Sequence, residues 1–206
     1  WPFLYLERPE IPPHYLYFIA IVLLLGLASF GLVAPAERQL NLQFFFLGAG
    51  FLLLETRSVT EIALLFGSTW AVNAIAFCGI LVAVPIANLL VQRWPRPPVR
   101  LLYGVIAVLL VAGWLLPPGA LYVPSLAGRL VLCGLVIFSP ILLAGLIFSS
   151  QFRDASAPNL LFGSNLIGAM VGGAVEYTSL SLGLGSLYLV GALLYLCAWL
   201  AWQRQS

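Results

Sequence analysis

Seven apolar stretches, each near the length of a bilayer crossing, occupy most of the 206-residue chain and leave few folds open to it. A hydrocarbon core about 30 Å thick takes about 20 apolar residues of helix to cross. Backbone groups at that depth have no water to bond, so each stretch must pair its own N–H and C=O groups as a helix. The stretches fall at about 14–33, 42–66, 69–92, 99–116, 126–149, 159–181 and 185–203. A composition of 62% hydrophobic and 8% charged residues agrees, with a mean hydropathy of +1.06. The expected fold is all-α and integral to a membrane: a bundle of seven transmembrane helices over residues 14–206, led by an interfacial connector over 1–13.

Punctuation supports these boundaries. Of fourteen prolines, only Pro85 and Pro140 fall within stretches, where they should kink helices three and five. Trp70, Trp94, Trp114, Trp199 and Trp202 all stand at stretch ends, where an amphipathic ring prefers the headgroup level. Arg38, Arg93, Arg96, Arg100, Arg153 and Arg204 share one side of a seven-crossing chain, and Arg8 and Arg129 the other. The positive-inside rule then places the C-terminus in the cytoplasm and the N-terminus outside.

Absences narrow the chemistry. All nine basic residues are arginine, so no lysine exists to hold a retinal Schiff base. His14 is the only histidine and lies at the edge of the first stretch, which excludes paired-histidine haem ligation and a histidine-activated nucleophile. Cys78, Cys133 and Cys197 are isolated in separate stretches, without metal spacing, and read as small buried apolar residues. A net charge of +2 with no basic cluster does not fit nucleic acid. The sequence thus predicts no catalytic residue, cofactor or metal.

The polar residues at membrane depth therefore become the candidates. The second stretch carries Glu55, Arg57 and Glu61 near its middle, where each charge costs a few kcal/mol. Residues four apart lie about 40° apart around a helix, so Arg57 and Glu61 can pair on one face. Glu55 lies about 160° from Arg57 and points elsewhere. Either the helix is regular, or it breaks near Glu55–Ser58; a re-entrant hairpin there would return the N-terminus to the cytoplasmic side and leave the C-terminal orientation unchanged. The charges read as a structural network or as a path for substrate, ion or proton. In the sixth stretch, Ser164, Gly168 and Gly172 repeat every four residues beside Ala169 and Gly173. Such a ridge of small residues admits another helix closely. Asn165 opens it and Glu176 closes it; Asn73 and Asn88 in the third stretch are expected to hydrogen-bond between helices.

The segments WPFLYL, IPPHYL, FFFLGAGFLLLETRSVTEIALLFGSTWAVNA and LFGSNLIGAMVGGAVEY resemble the C-terminal membrane region of large bacterial spermidine synthase-like fusion proteins. The likeness covers nearly the whole chain, and LLLETRSVTE and GSNLIGAMVGG are its most specific parts. It implies a multi-pass domain of the bacterial inner membrane beside a soluble aminopropyltransferase-like or methyltransferase-like domain. A start at Trp1 fits a segment of a longer protein. The resemblance implies a non-catalytic domain that anchors such a fusion and passes a substrate, and Glu55, Glu61 and Glu176 would suit a cationic small molecule. Two other readings stay open. One is an accessory subunit, without cofactors, that contacts other transmembrane helices of a larger electron-transport or similar complex. The other is a transporter-like half-bundle. Under all three the lipid bilayer is the first partner.

Overall fold

A computed structural model describes residues 12–32, 39–94, 96–116 and 121–204. They form helices and connecting turns, with no strand among the described residues. The helices are α1 (Pro13–Leu32), α2 (Leu42–Phe66), α3 (Trp70–Arg93), α4 (Val99–Leu115), α5 (Leu126–Phe152), α6 (Pro158–Glu176), the single turn α7 (Ser179–Leu182) and α8 (Ser186–Gln203). The segments Trp70–Arg93, Ala127–Phe152, Pro158–Leu182 and Ser186–Gln203 are long and apolar enough to cross a membrane. Pro13–Ala28 and Val99–Leu115 are shorter apolar helices. The connector, Arg8 and Arg38 lie outside the described residues, apart from its last two positions.

Local chemistry sets the helix ends. Asn41 caps α2 by accepting the Phe44 N–H at 3.1 Å. Thr69 and Ser125 do the same for α3 and α5. Pro13 and Pro158 open α1 and α6, where no intrahelical N–H bond is lost. Gly67 stops α2 with φ 97°, a left-handed conformation that only glycine adopts cheaply, and its N–H bonds the Ala63 carbonyl at 2.9 Å.

Three expectations need correction. The second stretch is neither broken nor re-entrant: α2 is one helix from Leu42 to Phe66. Its hydroxyls are satisfied within it, since Ser58 bonds the Leu54 carbonyl at 2.6 Å and Thr60 the Thr56 carbonyl at 3.0 Å. Unwinding is therefore not needed to satisfy them. The sixth stretch is instead interrupted, at Tyr177 and Thr178, between α6 and α7. There the Thr178 hydroxyl bonds the Val175 carbonyl at 2.7 Å, and i→i+3 backbone bonds from Tyr177 and Thr178 tighten the turn. Of the three cysteines only Cys133 is buried; Cys78 is exposed and Cys197 half-buried. Helices α3 and α5 continue through Pro85 and Pro140.

The described chain gathers into two compact units, and the border between them runs through α2 after Leu53. In the first unit, α1 packs on α6, with Gly26 against Met170 and the Tyr15 ring 5.1 Å from that of Tyr177. Rising numbers on α1 meet falling ones on α6, so the two run antiparallel. The N-terminal half of α2 follows α6 in parallel: Asn41 meets Ser164, Phe45 meets Gly168 and Ala49 meets Gly172.

In the second unit, α3 packs along α5 and α4 against α5. Gly79 faces Phe138, Ala87 faces Gly145, and Asn88 accepts a hydrogen bond from Ser149, so α3 and α5 are parallel. The C-terminal half of α2 runs antiparallel to α5: Ile62 packs with Cys133 and Ile137, while Leu65 and Phe66 meet Arg129. The buried face of α3 is Ala76, Ile80, Ala83, Ala87 and Val91. Its outer face carries Ile75, Phe77, Leu81 and Leu89, with Leu81 69% exposed. Three alanines among the five buried residues and large apolar side chains outside is an arrangement lipid allows, because hydrocarbon does not drive leucine inward.

Candidate functional site

Two constellations stand out, one in each unit. In the second unit, the side chains of Arg57 and Glu61 approach to 3.3 Å, with Arg57 buried. Their spacing of one helical turn makes this an internal pair that needs no second helix to form. Two opposite charges this close cancel most of the field that each alone would impose on its buried surroundings. Glu55, half-buried at the centre of α2, forms no hydrogen bond or ion pair among the described residues. Asn73 is half-buried one turn into α3, and its side chain likewise makes no hydrogen bond among them. Asn88 does link helices, through Ser149 of α5.

In the first unit, the small residues of α6 form a seam against α2. A Cβ placed on Gly168 would lie 2.7 Å from the carbonyl carbon of Phe45, and one on Gly172 would lie 2.8 Å from the Ala49 Cα. Gly48 answers from α2, where a Cβ would lie 2.8 Å from the Asn165 carbonyl carbon. The two backbones thus touch with no side chain between them. Gly173 faces the Leu52 side chain, and Ala169 is half-buried beside the seam. Ser164 fixes the register at one end. Its hydroxyl accepts the Asn41 N–H at 2.9 Å and donates to the Leu160 carbonyl at 2.8 Å. Glu176, half-buried, is the last residue of α6 and has no ion pair among the described residues.

The structure also shows a role for Arg129 beyond its place in the charge balance. Its guanidinium lies 4.1 Å from the Tyr122 ring centroid and 5.9 Å from that of Phe66. Its Nε donates to the Val123 carbonyl at 3.1 Å and its Nη1 to the Leu65 carbonyl at 3.4 Å. It thereby ties the end of α2 to the start of α5. Arg153 does the equivalent at the opposite end of the unit, donating to the Val91 and Trp94 carbonyls at 3.1 Å each. A cation suits the exposed carbonyls that end α3. Gln43 is a further buried polar residue, in the first turn of α2, and its Nε2 makes no hydrogen bond among the described residues.

Comparison with protein families, curated proteins and solved structures finds no match to this chain. Its geometry describes a helical protein with apolar outer faces and four helices able to cross a membrane. A charged helix, α2, carries both constellations.

Proposed function

We propose that the chain is a polytopic domain of the bacterial cytoplasmic membrane, not itself catalytic, that anchors a spermidine synthase-like protein and offers a cationic substrate a carboxylate at mid-membrane. The observation behind this reading is the unbroken α2. Its 25 residues extend about 37 Å at about 1.5 Å per residue, enough to cross the hydrocarbon. The ion pair neutralises Arg57 and Glu61, and Glu55 remains at the helix centre as the carboxylate available to a cation.

Helix directions support seven crossings. Parallel α3 and α5 require α4 to carry the chain back across, although α4 has only 17 residues. Arginine placement then argues for a cytoplasmic C-terminus, since Arg93, Arg96 and Arg153 gather at one end of the second unit and Arg129 at the other. An odd number of crossings puts the chain ends on opposite faces, so a soluble domain joined ahead of Trp1 lies outside the cytoplasm.

The test joins topology with transport. Cysteines placed at positions 96 and 153, in a background without Cys78, Cys133 and Cys197, should resist an impermeant thiol reagent in intact cells. In proteoliposomes, labelled spermidine should enter faster than in protein-free vesicles, and Glu55→Gln should cut that entry about tenfold with folding intact. Labelling of both cysteines from outside would overturn the orientation. Entry no faster than in empty vesicles would remove the substrate route.

A further inference from the structure

A cleft of about 380 Å³ opens in the first unit between α1, the start of α2 and α6. Leu23, Leu27, Phe45, Ile167, Met170 and Val171 line it, and no polar side chain is among the lining residues. That volume lies within the range of about 300–1,000 Å³ typical of ligand sites. Cavities walled by aliphatic and aromatic groups stay dry, because a water there has no partner for its hydrogen bonds. A charged or polar ligand would lose its hydration for nothing in return. The occupant must therefore be apolar.

The position of the cleft decides which apolar molecule. Its walls come from the middle of α1 and the middle of α6, and α6 begins a segment able to cross the membrane. Its lining residue Leu27 is 68% exposed, and Leu24 and Leu166, each next in sequence to a lining residue, are 64% and 50% exposed. The cleft thus opens towards hydrocarbon, where lipid chains are the bulk medium. Its floor is adjustable. Met170 is the only methionine of the chain, and a Cβ on Gly26 would lie 2.9 Å from the Met170 Cε. Glycine on α1 lets this flexible thioether lie against the helix and shift to fit a chain.

We infer that the cleft holds one acyl chain of a bilayer phospholipid as a resident ligand, distinct from the lipids that exchange over the outer faces. A phospholipid carrying a diazirine in its acyl chain, photolysed in proteoliposomes of the unaltered protein, should label residues 23–27 and 167–171 at least fivefold more than the outer face of α3 at Leu81 and Leu89. Native mass spectrometry should show one phospholipid retained on the extracted chain. Val171→Phe, which fills the cleft, should lose it, while Leu166→Phe, on the exposed surface beside it, should not. Equal labelling of the cleft and of α3 would mean ordinary surface lipid and overturn the inference. Absence of label from the cleft would overturn it too, pointing to another helix as its cover. So would retention of the lipid by Val171→Phe.

Discussion

Gly168→Ala adds a single methyl group to α6 and measures how closely that helix lies on α2. Two effects oppose each other. Alanine is favoured over glycine inside a helix by about 1 kcal/mol. Against this, the new carbon would fall 2.7 Å from the carbonyl carbon of Phe45 and 2.9 Å from its Cα. These are backbone atoms of a second helix, so no side chain can rotate away, and the helices must separate. Separation also loosens the neighbouring contacts at Gly48 and Gly172. Overpacking costs about 1–3 kcal/mol, and a backbone obstacle places this site in the upper part of that range. The net loss is then about 1–2 kcal/mol. Gly163→Ala is the matched control, because nothing lies within 4 Å of a Cβ there. It keeps the helix gain alone. The gain is common to both variants, so their difference isolates the packing penalty, about 2–3 kcal/mol. Reversible unfolding in mixed detergent micelles reads both variants on one scale. Equal stability of the two would show that the backbones do not touch at Gly168.

Two further outcomes follow from the second unit. Glu61→Gln removes the carboxylate that pairs with the buried Arg57 and should cost up to about 3–5 kcal/mol; adding Arg57→Gln should recover part of that loss, and fully additive losses would refute the pair. Arg129→Ala should cost about 1–3 kcal/mol through its ring and carbonyl contacts, and Arg129→Lys should restore little, because an ammonium lacks the planar face that stacks on Tyr122; full rescue by lysine in the same unfolding assay would show that charge alone matters.

Much of the helix pattern was legible because it is written locally. A bilayer-length apolar run with proline, tryptophan or a capping residue at its edge carries its own boundaries, and the helices begin and end within a few residues of the expected limits. The sequence left open whether polar residues disturb the second helix. The charges of Glu55, Arg57 and Glu61 allowed either a regular α2 or one broken near Glu55–Ser58. In the structure the hydroxyls bond the preceding turn and the ion pair closes within one turn, so the helix accommodates them. The interruption came after Glu176, where the sequence turns to Tyr177, Thr178 and Ser179, and a threonine hydroxyl with i→i+3 bonds turns the chain.

The site was legible only as far as its interactions were local. Arg57 and Glu61 can be paired from their spacing because both lie on one helix. The Ser164–Gly168–Gly172 ridge can be seen for the same reason, but its partner depends on long-range packing that no period along α6 encodes. A trace of it exists on α2, where Gly48, Ala49 and Gly50 interrupt a run of phenylalanine and leucine. Small residues there serve two neighbours at once: Gly48 and Ala49 admit the α6 backbone, while a Cβ on Gly50 would lie 2.8 Å from the Tyr195 ring of α8. A helix that must receive backbone on one side and an aromatic ring on another has little room for side chains of its own. That crowding explains why three small residues stand together in the N-terminal half of α2, while its charges lie about one to three turns further along.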